Sequence, residues 1–113
     1  MKFMRVYTGD DGESHFEELS PEFTDREGTR TPAQQANGIT FAHRADASFI
    51  DFHPAPRDQY VLYLTASVEI GLGDGSSILM EPGDVLLAND TTGRGHTSRI
   101  TKGGLCAFVP LGK

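Results

Sequence analysis

The chain reads as an all-β protein, a sandwich or barrel of short strands, on three observations. Short apolar segments alternate with polar residues at the two-residue period of a strand. Clusters of Gly, Pro, Asn and Asp interrupt them at intervals of about 8–12 residues. Almost no segment carries a helical period. The 113 residues make one domain, with a core burying roughly two-thirds of the surface of the unfolded chain. Residues 1–47 are read as N-terminal strands and a long loop, and residues 48–109 as the part that carries the site.

Taken in order, 2–8 alternates around Phe3, Val6 and Tyr7 and predicts a first strand, and 14–19 a short second one. Residues 20–38 hold Pro21, Gly28, Pro32, Asn37 and Gly38 and predict a long loop with room for one helical turn. Strands follow at 39–44, at 48–53 and, most strongly, at 59–72. Gly73-Asp74-Gly75-Ser76 is a hairpin turn, because its glycines supply the positive φ such turns need. Residues 77–80 return, Pro82-Gly83-Asp84 turns again, and 85–89 continues. Strands at 96–101 and 105–109, joined through Lys102-Gly103-Gly104, complete the set.

Composition removes several function classes. A net charge of −6 with no basic cluster argues against nucleic acid. The acids concentrate between Asp10 and Glu27 in no ligand-like spacing, as a solvated face or loop does. No apolar run is long enough to span a membrane and no signal-peptide run opens the chain. The single cysteine, Cys106, cannot form an intrachain disulfide. A cytoplasmic protein is the expectation. Neither a nucleophile elbow nor a dinucleotide fingerprint is present, since Gly71-Leu72-Gly73 opens no helix.

Alternation sorts the faces. With His53 inward, Asp51 and Phe49 point inward too, and Ile50 and Phe52 away. On the next strand Gln59, Val61, Tyr63 and Thr65 share one face, and Tyr60, Leu62 and Leu64 the other. Both faces are largely apolar, as befits a strand between an interior and a second layer or partner.

His53, the segment 59–70, Pro82-Gly83-Asp84-Val85 and His96 together resemble the two motifs of a small single-domain cupin of the RmlC-like superfamily. His-Pro-Ala-Pro-Arg (53–57) and Asp-Thr-Thr-Gly-Arg-Gly-His (90–96) also resemble the wording of one subgroup of small cupins. The resemblance covers about residues 48–109. It implies a double-stranded β-helix, or jelly roll: two antiparallel sheets curled into a conical barrel. It also implies a divalent metal held by three histidines and a glutamate. His53 matches the first of these ligands and His96 the last. The second falls on Ala55, which coordinates nothing, and the glutamate on Gln59, whose amide oxygen is a poor ligand. The segment between Asp84 and His96 is also slightly longer than the motif. His53, His96 and Gln59 are therefore the metal candidates, for a weakly held ion or none, unless Asp51, Asp58 or Asp90 contributes.

Each candidate has a plainer reading beside the functional one. His53 ends a strand before Pro54 and Pro56, which position a side chain but also simply end strands. His96 follows a glycine-rich loop that is either purposeful or an ordinary surface hairpin. Asp90 either fixes the tautomer of a nearby imidazole or caps the backbone of Thr92 in an Asx-turn. Arg57, Gln59, Tyr63 and Asp90 are the substrate-binding candidates, Gln59 through its amide and Arg57 through a bidentate guanidinium, with Tyr63 serving as cavity wall more than as an acid. His15 could reach the rim, His43 lies at the surface, and Cys106 packs as a small apolar residue. The expected function is acid–base catalysis by His53 and His96 on a small polar or carbonyl-containing metabolite, of isomerase, lyase or decarboxylase type. A non-catalytic small-ligand module is the alternative, and a purely structural dimer the third. A homodimer is expected from the apolar outer face of 59–72, with Phe3 and Tyr7 available to extend a sheet.

Overall fold

The computed structural model describes residues 1–112. Its strands are β1 (Phe3–Thr8), β2 (Ser14–Glu18), β3 (Thr40–Arg44), β4 (Phe49–His53), β5 (Gln59–Tyr63), β6 (Ser67–Gly71), β7 (Ser77–Met80), β8 (Val85–Asn89), β9 (His96–Lys102) and β10 (Gly104–Pro110). They form a six-stranded sheet in the order β2-β1-β8-β5-β10-β3 and a four-stranded sheet in the order β4-β9-β6-β7. The fold is therefore all-β and two-layered. No helix among the described residues is long and apolar enough to cross a membrane.

Two features depart from a barrel of antiparallel sheets. β1 runs parallel to β8, Phe3 opposite Val85 and Tyr7 opposite Asn89, so the larger sheet is mixed. The two sheets also keep separate ladders and do not close. What joins them is side-chain packing: Val6, Val61, Val68, Ile70, Leu86 and Ile100 interleave in one buried core.

The 59–72 segment is two strands. β5 belongs to the large sheet and β6 to the small one, and the chain crosses between them at Leu64–Ala66. Three successive amides there, of Leu64, Thr65 and Ala66, point at the carbonyl of Leu105 at 3.1, 3.1 and 3.4 Å. A bend lets one apolar alternation serve both layers, where a straight strand of that length would leave the core. Gln59, Val61 and Tyr63 are buried, but Thr65 lies on the bend and is exposed. The Gly73–Ser76 turn forms as expected, closed by the Leu72 amide on the Ser76 carbonyl at 2.9 Å. The 20–38 loop has no helical turn; the Asp25 carboxylate holds it by accepting from the Thr29 and Arg30 amides at 2.7 and 2.8 Å.

β1 is interior to its sheet, so Phe3 and Tyr7 are not at a free edge as expected. Phe3 instead meets the Tyr60 ring edge-on, 6.2 Å between centroids. The chain's own loop residues Leu19, Pro21 and Pro32 share a groove with Phe3, Tyr60 and Leu62 on this outer face.

Candidate functional site

β4 lies against β9 with His53 directly opposite His96. Their rings face one another inside the layer between the sheets, 4.8 Å between centroids and tilted by 53°. The pairing depends on a β-bulge. Three steps along β4, from Ile50 to His53, match two along β9, from Ser98 to His96. An extra residue reverses the alternation beyond it. Ile50 and His53 therefore both face the cavity, while Asp51 is exposed and Phe49 lies outside under the Arg99 guanidinium, 4.7 Å from its ring centroid. This overturns the expectation that Phe49 and Asp51 share His53's face with Ile50 opposite.

The glycine-rich loop delivers His96. Gly95 has φ +80°, and a Cβ there would overlap the His53 carbonyl and the Pro54 nitrogen, so close approach of the two strands demands glycine. Gly93, at φ +72°, packs on the Gly12 carbonyl. The Arg94 amide donates to that carbonyl at 3.1 Å, the Thr8 hydroxyl donates to the Thr92 carbonyl at 3.0 Å, and the Arg94 guanidinium lies 4.0 Å from the Phe52 ring centroid. The β1–β2 turn thus anchors the loop before His96 from one side, and β4 from the other.

Both imidazoles are held through Nδ1. His53 Nδ1 lies 2.8 Å from the Asp51 carbonyl oxygen, which can only accept, so this nitrogen carries the proton. His96 Nδ1 lies 2.6 Å from Asp90 Oδ2, which also accepts from the Ser14 hydroxyl at 2.8 Å. Each ring is left with Nε2 as its free nitrogen. Asp90 is fully buried, and its Oδ1 has no partner among the described residues. Asp90 thus sits behind His96 and orients it; it does not line the cavity, and its carboxylate bonds Ser14 and His96 rather than the Thr92 backbone.

The cavity beside the histidines is small, with about 60 Å³ open to solvent molecules. That is room for about four waters at the ~15 Å³ each needs on this measure. Ile50, Val61, Ile70, Leu86 and Ile100 supply much of its wall, while Gln59, Tyr63, Ser98, Cys106 and Arg44 supply polar atoms. The Gln59 amide takes part in no side-chain hydrogen bond among the described residues. Burial pushes the Tyr63 hydroxyl far above its ordinary range, so it stays protonated. Arg57 is exposed and does not line the cavity. His15 pairs with Asp11 at 3.1 Å on the outer side of β2, and His43 is exposed on β3. Cys106 is buried on the cavity wall, and burial raises its thiol against the opposing pull of Arg44.

Arg44 and Ser98 escaped sequence reasoning. Nothing in their own segments marks them, and only the pairing of β3 with β10 and of β9 with β4 brings them inward. A larger hollow of about 730 Å³ lies on the outer face, but no histidine or cysteine lines it. The chemistry converges in the smaller one.

The donor set does not fit the metal cage that the resemblance implies. Asp51 and Asp58 are exposed, the latter accepting from the Asn89 amide at 2.9 Å, and Ala55 fills the second histidine position. Among the described residues no three His, Cys, Asp or Glu side chains converge to hold an ion. Two imidazoles and one amide remain. No protein-family model and no curated protein matches this chain.

Proposed function

We propose that the chain is a small cupin-type enzyme that performs acid–base chemistry on a small polar or carbonyl-containing metabolite, of isomerase, lyase or decarboxylase type. The observation that carries the reading is the His53–His96 pair: two facing imidazoles at one cavity, each with Nδ1 tied to an acceptor and Nε2 free. The cupin assignment is supported by the two-sheet arrangement, by the Pro82-Gly83-Asp84 turn leading into β8, and by the histidines at the first and last motif positions.

His96 is the proton acceptor. When its Nε2 takes a proton from a carbon beside a carbonyl, the C–H pair forms the enolate C=C bond, the carbonyl π pair moves to the oxygen, and the imidazolium gains its charge beside the Asp90 carboxylate. His53 has only a neutral carbonyl behind it, so once its Nε2 has taken a proton from solvent the imidazolium is not held by a carboxylate and suits handing that proton on to the substrate. Gln59 lines the same cavity, and its amide N–H is the donor for the developing oxyanion in this reading. No step requires a metal, and zinc added to the protein should be lost on dialysis.

The mainly aliphatic wall favours a second reading, a non-catalytic ligand-binding module. A thermal-shift metabolite screen followed by turnover assays separates the two. His53→Ala and His96→Ala should each lower turnover by roughly 10²–10⁴-fold with the fold intact. If wild type converts no bound ligand, and the double histidine variant binds that ligand normally, the module reading replaces the enzyme.

A further inference from the structure

We propose that Arg44 forms an anion-binding subsite of the His53–His96 cavity, and that the ligand is therefore a small carboxylate. The inference rests on the proposed ligand role of this cavity and names its substrate class.

β3 is an edge strand with Thr40, Phe41 and His43 exposed, while Ala42 and Arg44 are turned towards the interior. The Arg44 guanidinium lies 5.1 Å from the Phe108 ring centroid and lines the same cavity as His53, Gln59 and His96. It is half-buried, yet it belongs to no ion pair among the described residues. Arg5, Arg94 and Arg99 all have carboxylate partners, at 3.4, 3.5 and 3.9 Å. The chain has sixteen acidic residues, so carboxylates are not scarce. Asp46, near in sequence, is committed to the Gly103 amide, and Asp84, in the turn before β8, to the Lys2 and Glu81 amides.

The groups facing Arg44 do not neutralise it. Tyr63 and Cys106 are both held protonated by burial. A guanidinium drawn partly out of water beside neutral groups is matched best by a planar anion that accepts two parallel hydrogen bonds. About 60 Å³ of room suits anions of a few heavy atoms better than nucleotides or sugar phosphates. A carboxylate at Arg44 would leave the rest of such a molecule to the imidazoles and Gln59.

The test titrates full-length protein with acetate, pyruvate and malonate, with neutral acetamide and pyruvamide, and with inorganic phosphate, at constant ionic strength. NMR reads the Arg44 Nε–H and the His53 and His96 ring signals. At least one carboxylate should move all three saturably, with its amide binding tenfold or more weakly. Arg44→Met should weaken that carboxylate roughly 10- to 100-fold, the worth of hydrogen bonds to a charged group. Arg44→Lys should keep part of the affinity, and Arg57→Met all of it. Amides that bind as tightly as acids, or acids indifferent to Arg44→Met, would overturn the subsite while leaving the cavity a ligand site. Phosphate binding tighter than every carboxylate would overturn the assigned class. Histidine signals that no probe moves would remove both the subsite and the functional reading beneath it. Should Arg44→Met fail to fold, the acid-over-amide preference of wild type decides.

Discussion

Gly95→Ala tests whether the close approach of the two histidine strands depends on a missing side chain. Gly95 has φ +80°, and its added Cβ would overlap the His53 carbonyl and the Pro54 nitrogen. Two penalties add. The left-handed backbone costs a non-glycine residue about 1–2 kcal/mol, less about 0.4–1 kcal/mol returned by stiffening the unfolded chain. Overlap with backbone that cannot rotate away adds about 1–3 kcal/mol. Gly75→Ala is the matched control: φ is +88° and nothing lies within 4 Å, so it carries the first penalty alone. Urea unfolding of both variants isolates the steric part as their difference. At about 4 °C per kcal/mol for a chain of this size, Gly95→Ala should melt roughly 4–12 °C below Gly75→Ala. Nuclear Overhauser contacts between the two imidazoles should also weaken in Gly95→Ala alone. Equal stabilities, or unchanged ring contacts, would refute the claim that Gly95 sets the His53–His96 approach.

Two further predictions concern buried carboxylates. Burial pushes the Asp84 carboxyl up, but the Lys2 and Glu81 amides and the Lys2 ammonium outweigh it and hold it below the ordinary aspartate value. Its stabilisation is therefore present above the unfolded value of 3.8 and is lost as pH falls through the lower folded one. Asp84→Asn should cost about 1–3 kcal/mol at neutral pH, and acid denaturation curves of the two proteins should converge; a pH-independent gap would contradict the linkage. Asp90→Asn should shift His96 away from the Nδ1–H tautomer, seen in ring ¹⁵N shifts, and lower turnover less than His96→Ala does. A wild-type His96 found as the Nε2–H tautomer would undo the assigned role of Asp90.

The sequence by itself determined where the chain turns and where the strands lie, save that 59–72 reads as one strand and is two. Strand positions follow from local alternation, and the Gly73–Ser76 and Pro82–Asp84 turns from residues whose backbone preferences act within a few positions. His53 and His96 stand out by their resemblance to the first and last ligand positions of the cupin motifs; the prolines after one and the glycines before the other are local marks compatible with that but equally with a plain strand end and a surface loop. Tertiary structure decided what those marks could not contain. The β4 bulge comes from pairing with β9, and it moved Ile50 inward and Phe49 outward against simple alternation. The bend at 64–66 exists because the core has two layers, a constraint invisible within one strand. Asp90 was legible as a partner for an imidazole or for its own turn, and only the fold, by burying it against Ser14 and His96, chose between them. Arg57 stood beside the motif in sequence, yet Arg44 is the arginine that lines the cavity. Proximity along the chain fixes local geometry over a few residues, whereas a cavity is assembled from strands whose partners lie tens of residues away.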